Sequence, residues 1–288
     1  MCIRDRAKSY VPKLDEVYKL ASLTAMLDGA SDLARQGANA NELIIPMMTM
    51  DGLADYSRNG GYVQGGVTMT NETVKCNFDR GRRFDVDVMD DLETAGLAFG
   101  RLSAQFIRDK VVPELDAFRF ASYCGISGVT KKEETLADGA ATVAALSAAV
   151  TAMDDEEVTA TGRYLFITPS LHGMVQDLDT TKSREVLNNF AKITDVPQTR
   201  FYTAIKQLSG KTGEEAGGYT KAAGAANINF AIVQKDALIQ YTKHAAPKII
   251  APENNPDADA YVFGYRMVGI AKAYKNMLSG MYFSHDQA

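Results

Sequence analysis

Ser170 and His172 stand two positions apart in Thr168-Pro169-Ser170-Leu171-His172, a hydroxyl nucleophile with a candidate base beside it in sequence. Nucleophilic catalysis needs such a base within hydrogen-bond reach of the hydroxyl. The segment lacks the glycine-flanked strand-to-helix turn that exposes hydrolase nucleophiles. A hydrolase using Ser170 and His172 is therefore the unfavoured alternative, and Ser170 reads as the N-cap of a helix running towards Leu178. The other histidines, His244 and His285, give no pair at a metal-binding helical spacing. Cys2, Cys76 and Cys124 are odd in number and widely separated, which gives neither a metal motif nor a disulfide framework. Cys124 reads as a small buried hydrophobe. Asp154-Asp155-Glu156-Glu157 lacks the alternating oxygen ligands of a calcium loop and reads as solvated surface. Gly60-Gly61 and Gly65-Gly66 match neither phosphate-loop spacing, and no helix follows them directly. The residues predict no catalytic site, no cofactor and no metal.

The densest chemistry is charge pairing. Asp79-Arg80-Gly81-Arg82-Arg83-Phe84-Asp85-Val86-Asp87 sets three arginines among three aspartates. Guanidinium groups pair carboxylates in a planar two-point geometry, within a chain or across to another. The run reads as a charged corner between a glycine-rich, β-prone stretch over 43–78 and a long helical pattern over 88–123.

The elements that must position this corner follow from periodicity. Residues 12–36 read as a leading helix, with Leu14, Val17, Leu20, Leu23 and Leu27 at three- and four-residue spacings. A strand is expected over 43–50, placed at an edge or interrupted by Pro46, which cannot donate to a ladder. Asp51-Gly52 and Asn59-Gly60-Gly61 signal turns. Over 67–78, Val67, Met69, Asn71, Thr73 and Cys76 give no clean apolar face, so a hairpin here is poorly buried in its own subunit and needs cover. Asn59, Gly60, Gly61, Gly65 and Gly66 mark its flexible tip. Asp87 is the expected N-cap of the long helix, with Asp90 and Asp91 favouring its dipole. Unbroken over 88–112 it would span roughly 37 Å, and Pro113 should bend or interrupt it. Further along, 125–139 reads as loop or short hairpin, 140–153 and 183–190 as helices, and 164–168 as a buried strand. Strands follow at 228–233, 238–242 and 248–251, and β-prone sequence over 261–282 closes the chain. Strands and helices mix without regular βαβ repetition, so the fold class is α+β.

The chain has 288 residues, long enough for a sizeable core in one or two domains. Its 31 basic and 36 acidic residues leave a net charge of −5, which argues against a dedicated nucleic-acid binder. No apolar run would cross a bilayer and no secretory signal opens the chain, so a soluble protein made inside the cell is expected. Met1-Cys2-Ile3-Arg4-Asp5-Arg6 looks like a translated sequencing-adapter fragment and is set apart as non-native.

Four segments, in order, resemble the major capsid proteins of tailed double-stranded DNA bacteriophages. Asn41-Glu42-Leu43-Ile44-Ile45-Pro46 and Met50-Asp51-Gly52-Leu53-Ala54-Asp55-Tyr56 resemble the start of that family's extended loop. Asp79-Arg80-Gly81-Arg82-Arg83-Phe84 with Val86-Asp87 resembles its end. Lys110-Val111-Val112-Pro113-Glu114-Leu115-Asp116-Ala117-Phe118-Arg119 resembles the end of its spine helix. The resemblance implies an N-terminal arm over 7–40, an extended loop over 41–86, a peripheral domain from 87–125 and 256–288, and an axial domain over 126–255. It implies assembly into hexamers and pentamers of an icosahedral head enclosing double-stranded DNA, in the host bacterial cytoplasm. Implied partners are further copies of the chain, a separate scaffolding protein, a portal, head-decoration or completion proteins and packaged DNA, with no membrane. An encapsulin-like nanocompartment shell is the alternative with the same fold. Some family members cross-link through a lysine in the extended loop, but here no lysine lies between Lys19 and Lys75, so no such link is expected. Arg80, Arg82, Arg83, Asp85 and Asp87 are the expected contacts between subunits at the base of the loop.

Overall fold

The structure, a computed structural model, describes residues 22–29, 35–36, 42–89 and 97–287. Its strands fall into two principal sheets. The inner strands of the larger one bury residues on both faces, so it can be covered twice. It contains β5 (Thr130–Glu133), β6 (Arg163–Ile167), β7 (Lys192–Asp195), β10 (Ile228–Gln234) and β13 (Met281–His285), in the order β5-β13-β10-β6-β7. Every residue of β10 is buried. On one face Leu165, Ile167, Phe230, Ile232 and Tyr282 meet α3 (Gly139–Asp155), α4 (Pro169–Asp177) and α5 (Thr181–Leu187). On the other, Phe166, Ala231, Met281 and Phe283 meet Phe120, Tyr123 and Cys124 of α2 (Val112–Cys124) and Leu27 of the leading segment.

The second sheet orders β11 (Leu238–Ile250), β12 (Ala260–Ala273) and β4 (Phe78–Asp87) side by side, all antiparallel. The helical run α1 (Leu97–Phe106), a π-helical turn Ile107–Val111 and α2 lie on one face of it. Phe78, Phe263, Tyr265 and Met267 pack there against Ile107, Val112 and Leu115. The helix α2 thus serves both cores, Leu115 in one and Phe120 in the other. A smaller two-stranded unit joins β8 (Ile205–Gln207) to β9 (Tyr219–Lys221). The hairpin of β2 (Glu42–Met50) and β3 (Val67–Lys75) stands apart, with β1 (Arg35–Gln36) paired only at its base.

The α+β class and most elements agree with the sequence reading, and four expectations are corrected. The leading helix over 12–36 is not α-helical where described: within 22–29 only Ala25–Leu27 winds, as a 3₁₀ turn, Arg35–Gln36 is a strand, and the rest lies outside the described residues. Ser22 and Thr24 bond a distant carboxylate there instead of continuing a helix. The charged corner is the outer strand β4, because Phe78 and Phe84 on one face bury against the helices and hold the polar alternate residues in a ladder. The interruption expected at Pro113 is present: the π-helical turn Ile107–Val111 separates α1 from α2, which restarts with the proline in its first turn. Ser170 is not the N-cap. Thr168 is, because Pro169 suits the first helical position. The strands expected at 238–242 and 248–251 are one strand, bulged between Thr242 and His244, and Pro247 is tolerated because β11 is an edge.

The close approach of α3 to α4 requires Gly139. A Cβ at that position would lie 2.2 Å from the main-chain oxygen of Met174. Gly139→Val is expected to destabilise the protein by about 3 kcal/mol through overpacking, read as a lowered Tm. A Tm equal to that of the parent chain would contradict this helix contact.

Candidate assembly surface

The hairpin is the part of the molecule least served by its own chain. β2 and β3 pair in register from Glu42↔Lys75 to Met50↔Val67, a ribbon of about 30 Å at the usual rise per residue. Residues paired across strands share a face, so Met48, Met50, Val67 and Met69 form one apolar stripe near the far end. They are 54%, 68%, 66% and 69% exposed. Beyond them Leu53, Tyr62 and Val63 are also exposed. Reading β3 alone predicted no clean face; the cross-strand register supplies one. At the tip, Gly61 N–H donates to Ser57 O at 2.7 Å with φ +73°, and the Tyr56 and Tyr62 rings lie 4.9 Å apart. Gly60 N–H donates to Ser57 Oγ, and Gly66 N–H donates to Asp51 Oδ2 at 2.7 Å, closing the neck. Gly65 lies beside Asp51, and Asn59 is exposed in the turn at the tip. The tip is hydrogen-bonded at its turn and neck.

β4 carries on from the hairpin and divides its charges between two faces. Asp79, Arg83, Asp85 and Asp87 are exposed on the face away from the helices. Arg83 Nε pairs with Asp85 at 2.8 Å, and Arg266 pairs with Asp79 at 2.6 Å. Asp87 Oδ1 accepts from Met89 N–H at 2.8 Å, the capping role expected of it. Gly81 brings β4 close to β12, since a Cβ there would meet Tyr265 O at 2.7 Å. Arg80 and Arg82 point the other way. Arg80 pairs with Glu114 at 2.8 Å and donates to the carbonyls of Leu208 and Gly218. Arg82 donates to those of Glu215 and Ala216. Burial raises the Glu114 carboxyl above its usual range, against the pull of Arg80.

Between β4, the helical run and the β8–β9 unit lies a groove of about 940 Å³, lined among others by Phe84, Phe106, Glu114, Tyr202, Tyr219 and Lys110. The loop over it is self-bonded. Glu214 accepts from Lys206 Nζ at 2.6 Å and from Ser209 N–H at 2.7 Å, which hold its carboxyl down at about 2. These contacts favour the folded loop above the ordinary carboxylate range, near pH 4.5, and their contribution is lost as pH falls from there through about 2. Lys206→Met is expected to raise the Glu214 midpoint towards its ordinary value in a carboxyl NMR titration. An unmoved midpoint would contradict the pairing.

The candidate catalytic residues do not form a site. Both ring nitrogens of His172 are engaged, Nδ1 with Asp195 at 2.7 Å and Nε2 with Gln176 at 3.0 Å, and neither meets Ser170. Cys124 is buried, and burial pushes its thiol up. Among the described residues no group of His, Cys, Asp and Glu could hold a metal, and no helix is long and apolar enough to cross a membrane.

Sequence reasoning missed one polar centre. Asp116, fully buried on α2, accepts from Ser22 Oγ (2.9 Å), Leu23 N–H (3.1 Å), Thr24 N–H (3.3 Å) and Thr24 Oγ1 (2.6 Å). One turn on, buried Arg119 donates to Thr24 Oγ1 and to Asp28 Oδ1. Gln240 of β11 donates to Thr24 O and Asp28, and accepts from Tyr123 OH at 2.6 Å. The signal available in sequence was an Asp and an Arg three apart on an otherwise apolar helix face.

No protein-family model and no curated protein matches the sequence. Solved structures do match in shape. A structure of Gordonia phage Cozz is 11% identical with a TM-score of 0.61, covering 93% of this chain and 87% of that one. The capsid structure of the cyanophage P-SCSP1u is 11% identical with a TM-score of 0.57, covering 88% and 85%. A virus-like particle from Pyrococcus furiosus is 9% identical with a TM-score of 0.58, covering 94% and 95%. With identities this low the likeness is one of backbone architecture, and over nearly its whole length the chain has the fold of phage capsid structures.

Proposed function

We propose that this chain is the major capsid protein of a tailed bacteriophage, a structural shell subunit without catalytic activity. Copies join as hexamers and pentamers into an icosahedral head around double-stranded DNA, and the chain resides in the virion. The observation that carries the reading is the hairpin's exposed apolar stripe, Met48, Met50, Val67 and Met69, on a scaffold of capsid fold. A monomer gains nothing from an apolar ribbon held in water, whereas a neighbouring subunit gives it cover. Assembly follows host-cell synthesis and uses a scaffolding protein, a portal and completion proteins. The arm, extended loop, peripheral and axial domains take the boundaries implied by the resemblance. Arg83, Asp85 and Asp87 contact the neighbour directly from the open face of β4, and Arg80 and Arg82 act through the loop they hold.

The test is size-exclusion chromatography with light scattering, on the chain alone and with a scaffolding protein. Megadalton particles in either case support the reading, and a monomer in both contradicts it. Within it, Arg83→Glu is expected to lower the assembled fraction about tenfold, since a like charge set against its partner costs on the order of 1 kcal/mol or more per contact. Unchanged assembly would remove Arg83 from the contact.

A further inference from the structure

The two arginines on the inner face of β4 do unequal work on residues 208–218, the loop between β8 and β9. Arg80 holds the base of the loop. It bonds the carbonyls of Leu208 at 2.7 Å and Gly218 at 3.2 Å, and those two residues bond one another, Leu208 N–H to Gly218 O at 2.9 Å. Its charge is met by Glu114 at 2.8 Å. Arg82 holds the far part, through Glu215 O at 2.8 Å and Ala216 O at 3.4 Å, and has no ion-pair partner among the described residues.

The seat for Arg82 is built from absent side chains. A Cβ on Gly217 would lie 2.8 Å from Arg82 Nη1, and one on Gly210 would lie 3.3 Å away. Both glycines have positive φ, as do Gly213 and Gly218, so the loop's ends turn where L side chains would resist. Between these turns the loop is tied to itself. Glu214 takes Ser209 N–H, Glu215 takes Gly213 N–H at 2.8 Å, Glu214 N–H donates to Lys211 O, and Gly217 N–H donates to Glu214 O. A segment bonded internally, hinged on glycines and fastened at its far part only by the exposed Arg82 and by the surface pair Lys206–Glu214 opens as a unit more readily than it unravels.

We propose that residues 208–218 form a hinged lid over the aromatic-walled groove, tethered by Arg80 and shut by Arg82. Opening swings residues 215–217 away from β4 and exposes the groove wall at Phe84 and Phe106. The lid depends on contacts within one chain, so it is independent of the assembly reading.

Hydrogen exchange by mass spectrometry on the full chain tests it. In Arg82→Ala, exchange over 209–217 should rise about tenfold or more, the loss expected for charged hydrogen bonds to two carbonyls, with β10 unchanged. Arg82→Lys keeps the charge and loses the fork; it should show the same local rise and carries the test if the alanine variant does not fold. Arg83→Ala, on the opposite face, should leave the loop as in the parent. Unchanged exchange over 209–217 in the Arg82 variants would overturn the lid. So would a rise shared equally by β10, because the loop would then open only with the whole fold.

Discussion

Asp116→Ala is expected to destabilise the protein by about 3–5 kcal/mol, the cost of removing one partner from a buried charge network. The carboxylate is fully buried and collects four hydrogen bonds from residues 22–24. Alanine would leave two main-chain N–H groups and two hydroxyls without their acceptor, each at its desolvation cost. Arg200, 3.4 Å from the same carboxylate, would lose a partner as well. Tm should fall on the order of 10 °C for a chain of this size. Exchange should rise first over 22–29, because Leu27 is held in the core only while this segment is fastened. A Tm within about 2 °C of the parent would mean that the network contributes little beyond ordinary surface pairing.

Met69→Asp should behave in the opposite way, leaving the fold intact and abolishing assembly. Met69 is 69% exposed and pairs with Met48 across the hairpin. Exposed substitutions of this kind change monomer stability by about 0.5 kcal/mol, so Tm should hardly move. In an assembled shell the same position would place a carboxylate inside an apolar contact, at a cost of several kcal/mol per copy. Symmetry repeats that cost at every equivalent contact. Met69→Leu should assemble as the parent does. A Met69→Asp chain that forms normal particles would show that the stripe is not an interface.

What the sequence disclosed was what depends on near neighbours along the chain. The apolar runs at 164–168 and 228–233 read as buried strands and are β6 and β10, the centre of the larger sheet. The hairpin, its turns and its lack of cover were also legible. What depended on distant partners was not. The bonds that convert 22–29 from helix to clasp join residues up to 216 positions apart. β4 looked like a corner because its glycine and charges are poor strand formers, and only its pairing with β12 makes it a strand. The apolar stripe needs two strands in register before Met48 and Met69 become neighbours. Arg82 read as a contact for another molecule, and the loop whose carbonyls it holds lies more than 130 positions downstream.

Self-assembly is the central claim, and electron microscopy of the purified protein in negative stain tests it most directly. The account predicts closed shells or five- and six-membered rings, formed by the chain alone or with a scaffolding protein, and their absence in Met69→Asp under the same conditions. Only dispersed monomers at high concentration, with scaffolding protein and crowding agent both present, would contradict it.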